Sequence, residues 1–180
     1  PIEVAVFNIG ANVRFGITET TARVYHKVWE MACFGGFLMG RETAKVMLPR
    51  GRGTIIFTGA TASLRGREGF AAFAGAKHAL RALAQSMARE LWPKGIHVAH
   101  PVIDGAIDTE FIRSNFPERY AMKDQQGILS PDSIAEAYWQ PSLRYMQLRW
   151  RAADSEAADL VQSFFENVVR RGLLATYQPA

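Results

Sequence analysis

Apolar residues fall along the chain in three short blocks separated by two long periodic stretches. Ile2–Phe7 (IEVAVF), Thr54–Thr58 (TIIFT) and Ile96–Ile103 are rich in β-branched and aromatic residues, as strands buried on both faces are. Each ends in polar or small residues: Asn8-Ile9-Gly10-Ala11-Asn12, the loop after Thr58, and Asp104-Gly105-Ala106-Ile107-Asp108-Thr109. Between the first two blocks, Val24, Val28, Met31, Gly35, Leu38 and Met39 recur at helical spacing and predict a helix over Thr20 to Leu48, stopped by Pro49-Arg-Gly-Arg-Gly. Between the second and third, Leu80, Leu83, Ala84, Met87 and Leu91 predict a helix from about Ala71 to Leu91, ended by Pro93 and Gly95. Strand, helix, strand, helix, strand is the order of a parallel sheet with crossover helices, so the fold class is α/β.

The pattern changes after this point. Pro131–Trp139 reads as a short helix with Pro in its first turn and Ile134 and Tyr138 on one face. Past Pro141, Leu143–Arg151 and Glu156–Arg171 read as helices, the second closed by basic Arg170-Arg171 and Gly172. A boundary therefore falls at residues 139/140, with a helical C-terminal extension over 140–180. No internal repeat or low-complexity segment occurs.

Composition narrows the class. With 48% apolar and 21% charged residues, the chain can build a core. No apolar run approaches the ~20 residues of a membrane span, and no membrane partner is expected. The net charge of +4 is concentrated in Arg41–Arg67, where no aromatic residues interleave with the arginines, so a solvated rim is expected rather than a nucleic-acid surface. Cys33 is the lone cysteine; it can form no internal disulfide, which points to a reducing, cytoplasmic setting. The chain opens on Pro1 with no targeting segment, and is expected to be cut from something longer. His97 and His100 lie three apart on a predicted strand, on opposite faces, so no metal site is expected.

The segment Gly53–Gly66 (GTIIFTGATASLRG), followed by Ala76-Lys77 on a helix, resembles the centre of the short-chain dehydrogenase/reductase family. Phe7-Asn8-Ile9-Gly10 is similar to that family's Asn-Asn-Ala-Gly loop. Gly95-Ile-His-Val with Asp104-Gly105 and Thr109 resembles its sixth strand and following loop, and Pro131-Asp132-x-Ile134-Ala135 its late helix. The resemblance covers residues 1–139. It implies part of a doubly wound, Rossmann-like sheet in a three-layer αβα arrangement, lacking the family's glycine-rich first βαβ portion. It also implies NAD or NADP as cofactor, with contacts from Asn8, Gly10, Lys77, Gly105, Ile107 and Thr109, and hydride transfer between an alcohol and a carbonyl of a small-molecule substrate.

The family's proton-transfer group is incomplete here. Its Tyr and the Lys four residues on fall at Phe73 and Lys77, its Ser at Ala60, and its helix Asn at Ala32. Thr58, on the same strand face as Ala60, could substitute for the Ser, or could simply bond to backbone. Lys77 could contact a ribose, or be an ordinary helix lysine. Two readings follow: an oxidoreductase homologue with impaired catalysis, and a non-catalytic pseudoenzyme subunit that pairs with a complete homologue. Either is expected as a homo-oligomer or in complex with a homologous chain. Gly35-Gly36 would serve close helix approach, or a kink or tight contact with the sheet.

Overall fold

The computed structural model describes residues 1–125 and 127–139. The helices expected at Leu143–Arg151 and Glu156–Arg171, and with them the 140–180 extension, lie outside the described residues. The chain divides into two units, Pro1–Ile103 and a second beginning at Asp104.

The first unit is built on a parallel sheet of β1 (Val4–Phe7), β2 (Gly53–Phe57) and β4 (Ile96–Ala99), in the order β1-β2-β4. Val4 pairs with Thr54 and Phe7 with Phe57; Gly53 pairs with Ile96 and Ile56 with Ala99. Every residue of β2 is buried, as its unbroken apolar run requires of a central strand. Glu3 ties the start of β1 to the turn before β2: its carboxylate accepts from Arg50 at 2.5 Å and Arg52 at 3.1 Å. Two short strands, β3 (Gly59–Ala60) and β5 (Val102–Ile103), form a separate parallel pair.

Three boundaries differ from the sequence reading. The first strand is shorter, Val4–Phe7 in place of Ile2–Phe7. The third block is two strands: His100-Pro101 separates β4 from β5, and a proline cannot donate to a ladder. The first long helix is not one α-helix. It comprises α1 (Ala22–Trp29), a π-helical turn at Glu30–Phe34 and α2 (Gly35–Met47). Thr21 caps α1, its hydroxyl accepting from Val24 N at 3.2 Å. The second long helix, α3, runs Ala71–Leu91 as expected.

Helices α2 and α3 share one core with the sheet. Ala44 and Met47 from α2 and Leu80, Ala84 and Leu91 from α3 meet Phe7, Ile55, Phe57 and Ile96. Close approach explains Gly36: a Cβ there would sit 2.6 Å from Leu80 Cδ1 and 3.2 Å from the Phe7 ring. Gly36 thus serves tight contact with the sheet and α3.

In the second unit, Thr109 caps α4 (Glu110–Asn115), accepting from Ile112 N at 3.3 Å; α5 (Pro117–Tyr120) follows. Residues 131–139 are helical, with Ile134 and Tyr138 buried as their spacing predicts.

Replacing Gly36 by Val should destabilise the chain by about 1–3 kcal/mol, the usual range for overpacking a filled core. Gly66→Ala is the control: its Cβ meets nothing within 4 Å, so a change within about 0.5 kcal/mol is expected. Urea titration of the three proteins checks both.

Candidate active site

The carboxyl ends of β1 and β2 meet the first turns of α3, and there the chain buries a charge. Lys77 is 3% exposed. Its Nζ donates to Thr58 O at 2.9 Å and to Ile9 O at 3.2 Å, and sits 5.8 Å from the centre of the Phe73 ring. No carboxylate among the described residues is paired with it. Burial therefore pushes its pKa down from 10.5 to about 8, because removing an ammonium from water favours the neutral amine.

Around this point the positions singled out in the sequence converge. Ala32, from the π turn, and Phe73, from α3, lie in one apolar cluster with Val28, Ala72 and Ala76, and Ala60 packs against it. Three positions from three separate elements thus form one wall, with the Lys77 ammonium beside it. The wall carries no side-chain proton donor at any of the three. Thr58 lies next to it, 9% exposed, and reaches Lys77 through its backbone carbonyl. Asn8 is half-buried and Gly10 exposed in the same β1 loop, and the space beyond Gly10 Cα is open.

Gly105, Ile107 and Thr109 belong to the second unit. Ile107 bridges to Leu129, and Asp108 N donates to Leu129 O at 2.9 Å while Leu129 N donates to Ala106 O at 2.8 Å. Thr109 spends its hydroxyl on capping α4. Asp108 holds Lys123 at 2.7 Å.

Sequence reasoning missed three participants. The Ile9 carbonyl left no trace because it is backbone. Ser63 is fully buried, and its hydroxyl accepts from Ala60 N at 3.1 Å, fixing the turn after β3. His100 packs against Gly59, where a Cβ would fall 2.5 Å from its Nε2. Both of its ring nitrogens are buried. Desolvation, then the Lys77 and Arg81 charges, push its pKa from 6.5 to about 4, opposed by the backbone of Phe57. Among the described residues no group of His, Cys, Asp and Glu gathers as a metal site, and no helix is long and apolar enough to cross a membrane.

A family model described as short chain dehydrogenase matches residues 1–119. The chain belongs to the short-chain dehydrogenase/reductase family. Among solved family members, a short-chain dehydrogenase from Rhodopseudomonas palustris is 60% identical, with a TM-score of 0.57 over 67% of this chain and 56% of that one. A gluconate 5-dehydrogenase from Burkholderia cenocepacia J2315, solved with NADP and tartrate, is 26% identical, with a TM-score of 0.58 over 63% of this chain and 44% of that one. MabA of Mycobacterium avium, a 3-oxoacyl-(acyl-carrier-protein) reductase, is 32% identical over 114 residues, 63% of this chain and 44% of its own length. The chain thus spans less than half the length of that curated relative.

The His100 environment gives a pH dependence with a definite sign. Its folded-state pKa lies below the ordinary value, so the unfolded chain takes up the proton first. Stability should fall as pH drops from about 6.5 to about 4, with no further loss from this group below that. In urea titrations across this window, His100→Gln should lose less stability than the parent chain. Parallel curves would contradict the assignment.

Proposed function

We propose that this chain is the substrate-side part of an NAD(P)-dependent oxidoreductase domain in which proton transfer has been impaired. The observation that supports this is the single apolar cluster at Ala32, Ala60 and Phe73 beside a retained Lys77. In the family the phenol moves a proton to or from the substrate oxygen, and the lysine one helical turn away eases its ionisation. Phe73 keeps the ring and removes the transferable proton. Lys77 keeps the charge and spends its hydrogen bonds on Ile9 and Thr58 carbonyls.

The residues present fit only part of an NAD(P) molecule. Asn8, Gly10 and Lys77 lie at the strand ends, where such folds place the reactive end of a dinucleotide. The 180 residues contain no Gly-x-Gly-x-x-Gly segment between a strand and a helix, so they offer no cradle for the pyrophosphate. By the family's motif alone, Gly105, Ile107 and Thr109 of the second unit are proposed as cofactor contacts.

A second reading is favoured by the outer face of the first long helix. Trp29, Phe34 and Phe37 are each more than a third exposed. Trp29 stacks on Phe34 at 5.7 Å, Phe34 on Phe37 at 6.0 Å, and Arg41 lies 5.3 Å over Phe37. Such a ladder suits pairing with a second copy or a complete homologue, and a non-catalytic partner subunit would need nothing more of the site. A cytoplasmic setting and a small-molecule substrate belong to the first reading.

A chimaera decides between the readings: the first three strands of a complete family member, with their glycine-rich loop, joined to residues 1–139. Carbonyl reduction followed by NADPH absorbance should be slow, and Phe73→Tyr should raise it within the ~10²–10⁴-fold span of general acid–base catalysis. Recovery should stay partial while Ala60 and Ala32 remain. An unsubstituted chimaera as fast as the intact donor enzyme would overturn the impairment. A flat response to Phe73→Tyr would favour the partner-subunit reading.

A further inference from the structure

We infer that Arg14 is an anion-recognition residue, reading the carboxylate or phosphate of a small molecule whose apolar part lies on the half-buried layer around Phe70. The inference rests on treating that layer as the substrate side of the site. It is tested without cofactor or turnover, so the two can fail separately.

Arg14 follows the β1 loop, and its side chain passes Gly69 and ends near the Phe70 ring. Phe15 N donates to Gly69 O at 2.9 Å, joining this loop to the one before α3. Gly69 has φ +80, and a Cβ there would lie 2.9 Å from Arg14 Cγ and 3.3 Å from Nε. The bare glycine both makes the turn into α3 and leaves the bed on which the arginine stem rests. At its end the guanidinium lies 6.0 Å over the Phe70 ring. Phe70 and Val13 in turn pack against the cluster of Ala32 and Phe73. A chain of contacts thus runs from the replaced catalytic positions to this guanidinium.

The cation so placed has no anion among the described residues. Arg41 holds Glu42, Arg50 and Arg52 hold Glu3, and Arg113 holds Glu110. Arg14, exposed to solvent, makes neither a hydrogen bond nor an ion pair with any described residue. Lys77, the cation at the inner end of the same wall, already donates to two carbonyls. A surface arginine ordinarily loses much side-chain freedom when it binds. Here the Phe70 ring beside the guanidinium and the open space over Gly69 favour one placement of the side chain, so less is lost. A planar guanidinium with one face on a ring still presents its N–H edge, which matches a carboxylate or phosphate in a paired arrangement. The ligand class follows: an anionic head for Arg14 and an apolar body for Phe70, Val13 and the half-buried alanines behind them.

Hexanoate, hexyl phosphate, hexan-1-ol and hexylammonium share one apolar body and differ only in the head. Titrated into the ¹⁵N-labelled chain and followed by amide shifts, either anion should bind at least about tenfold more tightly than the alcohol, a difference of one charge-assisted contact. The better of the two anions names the head group, and hexylammonium should bind no better than the alcohol. Arg14→Gln should abolish the anion preference while leaving alcohol binding and the thermal midpoint unchanged. Arg14→Lys should keep only part of it. Equal binding of alcohol and anions, no binding of either anion, or an undiminished preference in Arg14→Gln would each overturn the assignment.

Discussion

A single buried ammonium organises this structure. Lys77 stands almost wholly out of water with no carboxylate among the described residues paired to it, and the carbonyls of Ile9 and Thr58 make that tolerable. A buried charge left without partners costs several kcal/mol, on the order of 3–5, so the loops after β1 and β2 are held where their carbonyls point at Nζ. Helix α3 is thereby pinned to the sheet's carboxyl edge. That pin fixes which α3 residues face Ala32 and Ala60: Phe73 four positions earlier, and Ala76 and Ala72 beside it.

The chemistry of the neighbouring wall follows from the same constraint. A tyrosine at position 73 would bring a hydroxyl into a cluster whose other members are alanine, valine and phenylalanine. Left without a partner, such a group costs about 1–3 kcal/mol. Serine at 60 or asparagine at 32 would bring a polar group to the same cluster. Phe73, Ala60 and Ala32 are therefore mutually consistent as parts of one apolar cluster. Lys77 differs because its partners are backbone and do not depend on side chains at those three positions.

Much of the framework was legible in the sequence, for identifiable reasons. Helix α3 was readable to the residue because its apolar stripe is long and Pro93 and Gly95 close it. The buried β2 strand was readable from an unbroken β-branched run. The π turn at Glu30–Phe34 was not, since a shift of hydrogen-bond register leaves no compositional mark. Gly36 was visible as a helix glycine, but whether it served an internal or an external contact depended on Leu80 and Phe7, distant in sequence. The break at His100-Pro101 could have been found by treating the proline as a ladder interruption. At the site, the positions singled out by resemblance, Ala32, Ala60, Phe73 and Lys77, come together around one apolar cluster. The partners of Lys77 stayed hidden because carbonyls carry no side-chain signature, and Arg14 because its stacking depends on a loop fifty-five residues away.

The central claim is that Lys77 is a desolvated ammonium held by two carbonyls. The direct test is an NMR titration of lysine side chains labelled at the ε-carbon, with Lys77→Arg used to assign the resonance. A midpoint near pH 8 is predicted for Lys77, well below the exposed lysines of the same chain. A midpoint at the ordinary value of 10.5 would show a solvated side chain and contradict the account.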